Sequence, residues 1–90
     1  NGYGRRSLAT NSTGSNNVAI GNDALESNTT ASYNTAVGNG SLVTNSTGEK
    51  NTAIGYQSLN SNTTGFRNVA SGYWSLRKNT TGQKNTAIGY

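Results

Sequence analysis

The ninety residues contain no cysteine, which excludes a disulfide framework and thiol chemistry. Histidine, proline and methionine are absent as well. Acids are scarce, with Asp23, Glu26 and Glu49 the only carboxylates. Asp23 and Glu26 are close enough in sequence to approach each other. General acid–base work, however, needs a cleft, perturbed environments and supporting residues, and a chain without histidine or cysteine offers none of these. No enzyme activity is expected. The same shortage leaves no ligand set for a metal, the Gly-Gly-x-Gly-x-Asp runs of a calcium roll are missing, and no cofactor is expected. No apolar run approaches membrane-spanning length and no secretory leader is visible, so no membrane insertion is expected. Hydrophobic residues reach only 30%, low for a globular domain.

What the chain does have is one seventeen-residue unit written five times. Asn17-Val18-Ala19-Ile20-Gly21 returns as Asn34-Thr35-Ala36-Val37-Gly38 and as Asn51-Thr52-Ala53-Ile54-Gly55. It returns again as Asn68-Val69-Ala70-Ser71-Gly72 and Asn85-Thr86-Ala87-Ile88-Gly89, always at a step of 17. A fixed period this short predicts coils stacked one on the next, because a single coil cannot bury its own apolar face. Residues 1–90 therefore read as a single repeat array. Since the pattern starts and stops part-way through a unit, a segment of a longer fibre is expected.

The columns of this internal alignment are physical constraints. Gly4, Gly21, Gly38, Gly55, Gly72 and Gly89 form an unbroken column, which predicts a corner at positive φ. Leu8, Leu25, Leu42, Leu59 and Leu76 are the one large apolar side chain that every repeat keeps, so they should point inward. Ala19, Ala36, Ala53, Ala70 and Ala87 suggest tight packing against another surface. Two asparagine columns, Asn11/28/45/62/79 and Asn17/34/51/68/85, suit turns, and stacked amides can bond from coil to coil as a ladder. Each repeat is predicted to run as short strand, Gly corner, second short strand and polar loop; in one unit these are Asn51 to Ile54, Gly55, Tyr56 to Leu59, and Asn60 to Arg67. Helix is not expected, because the apolar positions do not recur at 3.6-residue spacing and Gly, Asn, Thr and Ser dominate. Disorder has a similar composition, but it does not lock one Leu and one Gly in phase. The fold class is all-β, a parallel β-solenoid or β-roll. About five coils at ~4.8 Å each would make it ~25 Å long. With so thin a core per coil, association of several chains is expected, to supply a shared interior.

Three surface features could carry a function. Tyr56, Tyr73 and Tyr90 share a column beside Trp74; such a row can serve as a glycan-binding platform or as a ladder that stabilises the stack. Asn11, Asn28, Asn45, Asn62 and Asn79 each open an Asn-Ser/Thr-Thr sequon, one per coil, which a secretory route would expose to N-glycosylation. The net charge of +4 is sparse, with Lys50, Arg67 and Lys84 in one column. It reads as solvated loop charge that keeps edges soluble, and no nucleic-acid partner is expected. Ice binding would need two matched Thr columns on one face; Ser12/Thr29 and Thr13/Thr30 are adjacent and alternate sides.

The segment Asn51-Thr52-Ala53-Ile54-Gly55-Tyr56-Gln57-Ser58 resembles the short head repeat of trimeric autotransporter adhesins, and Asn17 to Ala24 resembles it almost as closely. The longer form, Asn-Thr-Ala-Ile-Gly-Tyr-Gln-Ser-Leu-x-x-Asn-Thr-Thr-Gly, is similar to repeat regions of phage tail fibres and bacterial surface fibres. The resemblance covers the whole chain, although the adhesin coil is about three residues shorter. It implies a homotrimer of β-rolls at a cell surface or on a virion fibre, acting as a shaft or as an adhesin for carbohydrate. It also implies that Ile20, Val37, Ile54 and Ile88 line the roll interior, with the Ala column facing a neighbouring chain.

Overall fold

The computed structural model describes residues 2–90. Six short strands, β1 (Gly2–Tyr3), β2 (Val18–Ile20), β3 (Thr35–Val37), β4 (Thr52–Ile54), β5 (Val69–Ser71) and β6 (Thr86–Ile88), form a single parallel sheet in chain order. Ala19 pairs with Ala36, Ala36 with Ala53, Ala53 with Ala70 and Ala70 with Ala87. Each strand thus lies over its own equivalent one repeat away, and the chain is a parallel β-solenoid with one coil per repeat. Its longest dimension is 29 Å.

Each strand is short because the sequence permits only three extended residues before a glycine. At Gly21 the φ of +124° belongs to a region open essentially to glycine alone. A Cβ there would lie 2.7 Å from the carbonyl carbon of Gly38 and 2.8 Å from its oxygen. Conformation and proximity thus both demand Gly in this column.

Beyond the glycine the structure departs from the expected second strand. Residues 22–27 and their equivalents, Tyr56 to Leu59 among them, form successive turns. Asp23 and Leu25 take left-handed φ values of 65° and 52°, as do their counterparts Gln57 (54°) and Leu59 (49°). Alternate N–H groups serve different ends. Ala24, Glu26 and Asn28 donate back three residues to Gly21, Asp23 and Leu25 at 3.1–3.2 Å. Asp23, Leu25 and Ser27 donate to adjacent coils, onto Arg5, Ser41 and Val43 at 2.8–3.1 Å. The turn segment therefore stacks by hydrogen bonds as the strand does, without β geometry. The polar loop closes each coil with three consecutive N–H groups on one carbonyl: Ser46, Thr47 and Gly48 all donate to Thr63 O, at 3.1, 3.3 and 3.2 Å.

The interior is built from Ala19, Ala36, Ala53 and Ala70 facing Ala24, Leu25, Leu42 and Leu59, with Leu8 and Leu76 packed against them. The Leu column points inward. The aliphatic column does not: Ile20 is 43% exposed, Ile54 44% and Ile88 80%, with Val37 half-buried, whereas Ala36 and Ala53 are at 0%. The interior assignment of Ile20, Val37, Ile54 and Ile88 is thus reversed, and so is the outward assignment of alanine. The strand alternates side chains, and the leucine opposite leaves room for a methyl group only, so the branched residues on either side of alanine face out.

The buried polar groups are serines, such as Ser41 and Ser58, whose hydroxyls donate to Gly38 O and Gly55 O at 3.0 and 3.2 Å, and two columns of amides. Asn28 Nδ2 donates to Asn11 Oδ1 (2.9 Å), Asn45 to Asn28 (3.1 Å), Asn62 to Asn45 (2.9 Å) and Asn79 to Asn62 (3.0 Å). In the second column the Oδ1 atoms of Asn17, Asn34, Asn51 and Asn68 accept the backbone N–H of Asn34, Asn51, Asn68 and Asn85, at 2.9–3.0 Å. Gly48 O joins the two ladders, accepting Nδ2 of Asn45 (2.9 Å) and of Asn34 (2.8 Å). Among the described residues no buried side-chain nitrogen or oxygen lacks a partner. Unpaired, each such amide would cost about 1–3 kcal/mol; paired in every layer, the ladders fix which coil sits on which.

Candidate functional site

Four surfaces follow from this cross-section. The first is the outward face of the sheet. Positions 18 and 20 of the second coil, and their equivalents, project away from alanine. They give one column of Val18, Thr35, Thr52, Val69 and Thr86 and another of Ile20, Val37, Ile54, Ser71 and Ile88. Val18, Ile20, Ile54, Val69 and Ile88 are exposed large apolar side chains. In register from coil to coil, and interrupted by the hydroxyls of Thr35, Thr52, Ser71 and Thr86, they form a ribbed strip with at least one branched apolar side chain in every coil.

The second surface is the aromatic row. Tyr56 and Tyr73 stack with ring centroids 5.1 Å apart and planes 13° off parallel; Tyr73 and Tyr90 follow at 5.3 Å and 11°. Trp74 tilts against Tyr73 at 4.7 Å, its Nε1 donates to Gln57 Oε1 at 2.9 Å, and the Arg77 guanidinium lies 4.7 Å from its ring centre. All four rings belong to one patch, as their spacing in the sequence suggests. Tyr73 has a ring on each face, and Trp74 lies against Tyr73 and Arg77. What these two offer a ligand is ring edges and the Tyr73 hydroxyl rather than an open platform.

The sequon asparagines make the third set, and here the structure corrects the sequence reading. Asn28, Asn45 and Asn62 are fully buried. A glycan would attach at Nδ2, which in each of them already donates both to the preceding asparagine and to the carbonyl of residue 31, 48 or 65. A sugar on that nitrogen would break the ladder and enter the interior, so the folded coil excludes glycosylation at these three sites. Asn11 and Asn79 make the same turn bond, to Gly14 and Gly82, from more open coils. The asparagine of each sequon is fixed by the ladder and the turn, whereas the Thr that completes it is exposed and makes no side-chain hydrogen bond among the described residues.

The fourth surface is charged. Arg6 Nε lies 2.8 Å from Asp23 Oδ1 and 3.4 Å from Glu26 Oε2, so the two acids that are neighbours in sequence meet on one guanidinium. Exposed as it is, this cluster is worth about 1 kcal/mol at most. Lys50, Arg67 and Lys84 remain a separate exposed column. Their N–H groups donate to Ser32, Glu49 and Phe66 of the preceding coils at 3.2, 3.0 and 3.0 Å. A cavity of about 170 Å³ opens beside the first two cations, lined by Thr47, Glu49, Lys50, Thr64, Phe66 and Arg67. Among the described residues no group of His, Cys, Asp or Glu is arranged to hold a metal ion, and no helix is long and apolar enough to cross a membrane.

Comparison with known protein families, with curated proteins and with solved structures finds no match.

Proposed function

We propose that this chain is part of the shaft of an extracellular fibre, on a cell surface or a virion. In this reading copies associate side by side, as a homotrimer, and hold a distal element away from the surface that bears them. The observation that carries the reading is the outward apolar strip on an uninterrupted in-register sheet. One buried leucine per coil contributes about 1.5–3 kcal/mol, while ordering each residue's backbone costs about 1–2 kcal/mol. An isolated coil stack is thus short of apolar burial, and covering Val18, Ile20, Val37, Ile54 and Val69 with a second copy supplies it. A like strip on another copy has the same ribs at the same pitch, which makes the chain its own best-fitting partner. Adhesion to glycans along the tyrosine row is the weaker reading, because the faces of Tyr73 that a pyranose would stack on are taken by Tyr56 and Tyr90.

The test is mass and length together. Light scattering should give a multiple of the monomer mass, and duplicating residues 51–67 should lengthen the particle by ~4.8 Å without changing the number of copies. A particle that stays monomeric at every concentration, or whose length ignores the added unit, would refute the shaft.

A further inference from the structure

The column at residues 50, 67 and 84 is hard to explain as structure. Its backbone is left-handed, with φ of 60° at Lys50, 58° at Arg67 and 59° at Lys84. Glycine and asparagine tolerate that conformation best, and the first coil has Asn16 there, at 58°. Nothing in the turn calls for a long cation, and three in succession repel one another along the stack. Their charge is also uncompensated. From residue 50 to residue 90 the chain carries five cations, Lys50, Arg67, Arg77, Lys78 and Lys84, and no carboxylate. Among the described residues both ion pairs are made by Arg6. Glu49 borders the groove at one end of the row, and the coils beyond it add only positive charge.

We propose that this row is a binding site for a linear anionic polysaccharide lying along the axis of the stack, with one acidic group on each cation. Three observations agree. The groove beside Lys50 and Arg67 has hydroxyls from Thr47 and Thr64 and the half-open ring of Phe66, which suit the hydroxyl edges and the apolar C–H face of a sugar. The cations recur once per coil, at about 4.8 Å, close to the length of one pyranose in an extended chain, so a polymer acidic at every residue stays in step. Nucleic-acid phosphates do not: stacked as in a duplex they rise about 3.4 Å per strand, and an unstacked strand holds no fixed pitch. The site faces away from any need for self-association: a lone coil stack carries it as well as a trimer, so it stands apart from the shaft reading.

The experiment titrates the chain with polygalacturonate, neutral dextran and single-stranded oligothymidylate, at about 50 and 200 mM salt. Polygalacturonate should bind saturably and weaken with salt, dextran should not bind, and oligothymidylate should bind at least tenfold more weakly. The triple substitution Lys50→Asn, Arg67→Asn and Lys84→Asn keeps the left-handed turns and should retain the β signal while losing at least tenfold in affinity for polygalacturonate. Should that signal be lost, the three single variants are read instead. A control variant, Arg5→Gln with Arg77→Gln and Lys78→Gln, removes the same charge elsewhere and should keep most of the binding. Glu49→Gln should tighten it. Equal losses in the two triple variants would reduce the effect to net charge and overturn the site. So would undiminished binding by the asparagine variants, or oligothymidylate binding as tightly as polygalacturonate.

Discussion

A leucine at φ of 50°, as at Leu42, is ordinarily a misfit. The left-handed conformation costs a residue with a Cβ about 1–2 kcal/mol, and full burial of the side chain returns about 1.5–3 kcal/mol. The margin at each leucine is therefore thin, and the backbone is held there by its hydrogen bond to Ser58 O at 3.1 Å as much as by apolar contact. Glycine and asparagine positions are less forgiving. Gly55→Ala would place a Cβ 2.6 Å from Gly72 O at a φ of +125°, where the neighbour is backbone and cannot swing aside. A loss of about 3 kcal/mol or more is expected, read as a shift in the denaturation midpoint. Asn45→Ala leaves the Oδ1 of Asn28 without its donor and takes one of two acceptors from the Nδ2 of Asn62, which keeps Gly65 O, for an expected loss of about 2–4 kcal/mol. Asn45→Asp should be worse, because an ionised carboxylate donates to neither Asn28 Oδ1 nor Gly48 O. If either asparagine variant melts with the wild type, the ladder is not what holds the coils.

At the scale of the element, the three-residue strand is defined by which of its residues faces in. Inserting one glycine between Ala53 and Ile54 moves everything after it to the opposite side and should abolish the far-UV β signal of that coil and loosen its neighbours. Deleting residues 51–67 joins Lys50 to Asn68 in phase and should leave a cooperative fold shorter by one coil, with stability reduced by about one interface. The stacking itself was legible in the sequence, because the period of 17 admits no other arrangement of the Gly and Leu columns. The facing of the strand was not. Five unvarying alanines mark a place where nothing larger fits, while Ile20, Val37, Ile54, Ser71 and Ile88 vary as surface residues do. A polar Ser71 in the aliphatic column was the available sign that this column lies outside. The turns after each glycine were illegible for a different reason. Neither leucine, glutamine nor tryptophan announces a left-handed backbone, so nothing in the residues Tyr56 to Leu59 distinguishes their turns from a strand. The sequons misled because the same Asn-x-Thr triplet that marks an exposed acceptor also builds a buried ladder.

For the whole molecule, the question is what covers the apolar strip. If copies of the chain do, Ile20→Lys with Ile54→Lys should weaken self-association by about a hundredfold or more, since two desolvated cations replace two buried branched side chains. Circular dichroism should be unchanged, because both positions lie outside the coil. Association that survives the double variant would move the interface to another face. The groove beside Lys50 and Arg67 is lined by no strand residue, so the basic column and the outward strip are separate sets of side chains.

In the ladder from Asn11 to Asn79 every amide nitrogen points toward the N-terminal coil and every amide oxygen toward the C-terminal one. The array therefore has a chemical arrow. Two such stacks meeting head to head would set like atoms against like, oxygen on oxygen at one junction or nitrogen on nitrogen at the other. Only a tail meeting a head continues the pattern, so any lengthening of this ladder keeps a single polarity from one end to the other.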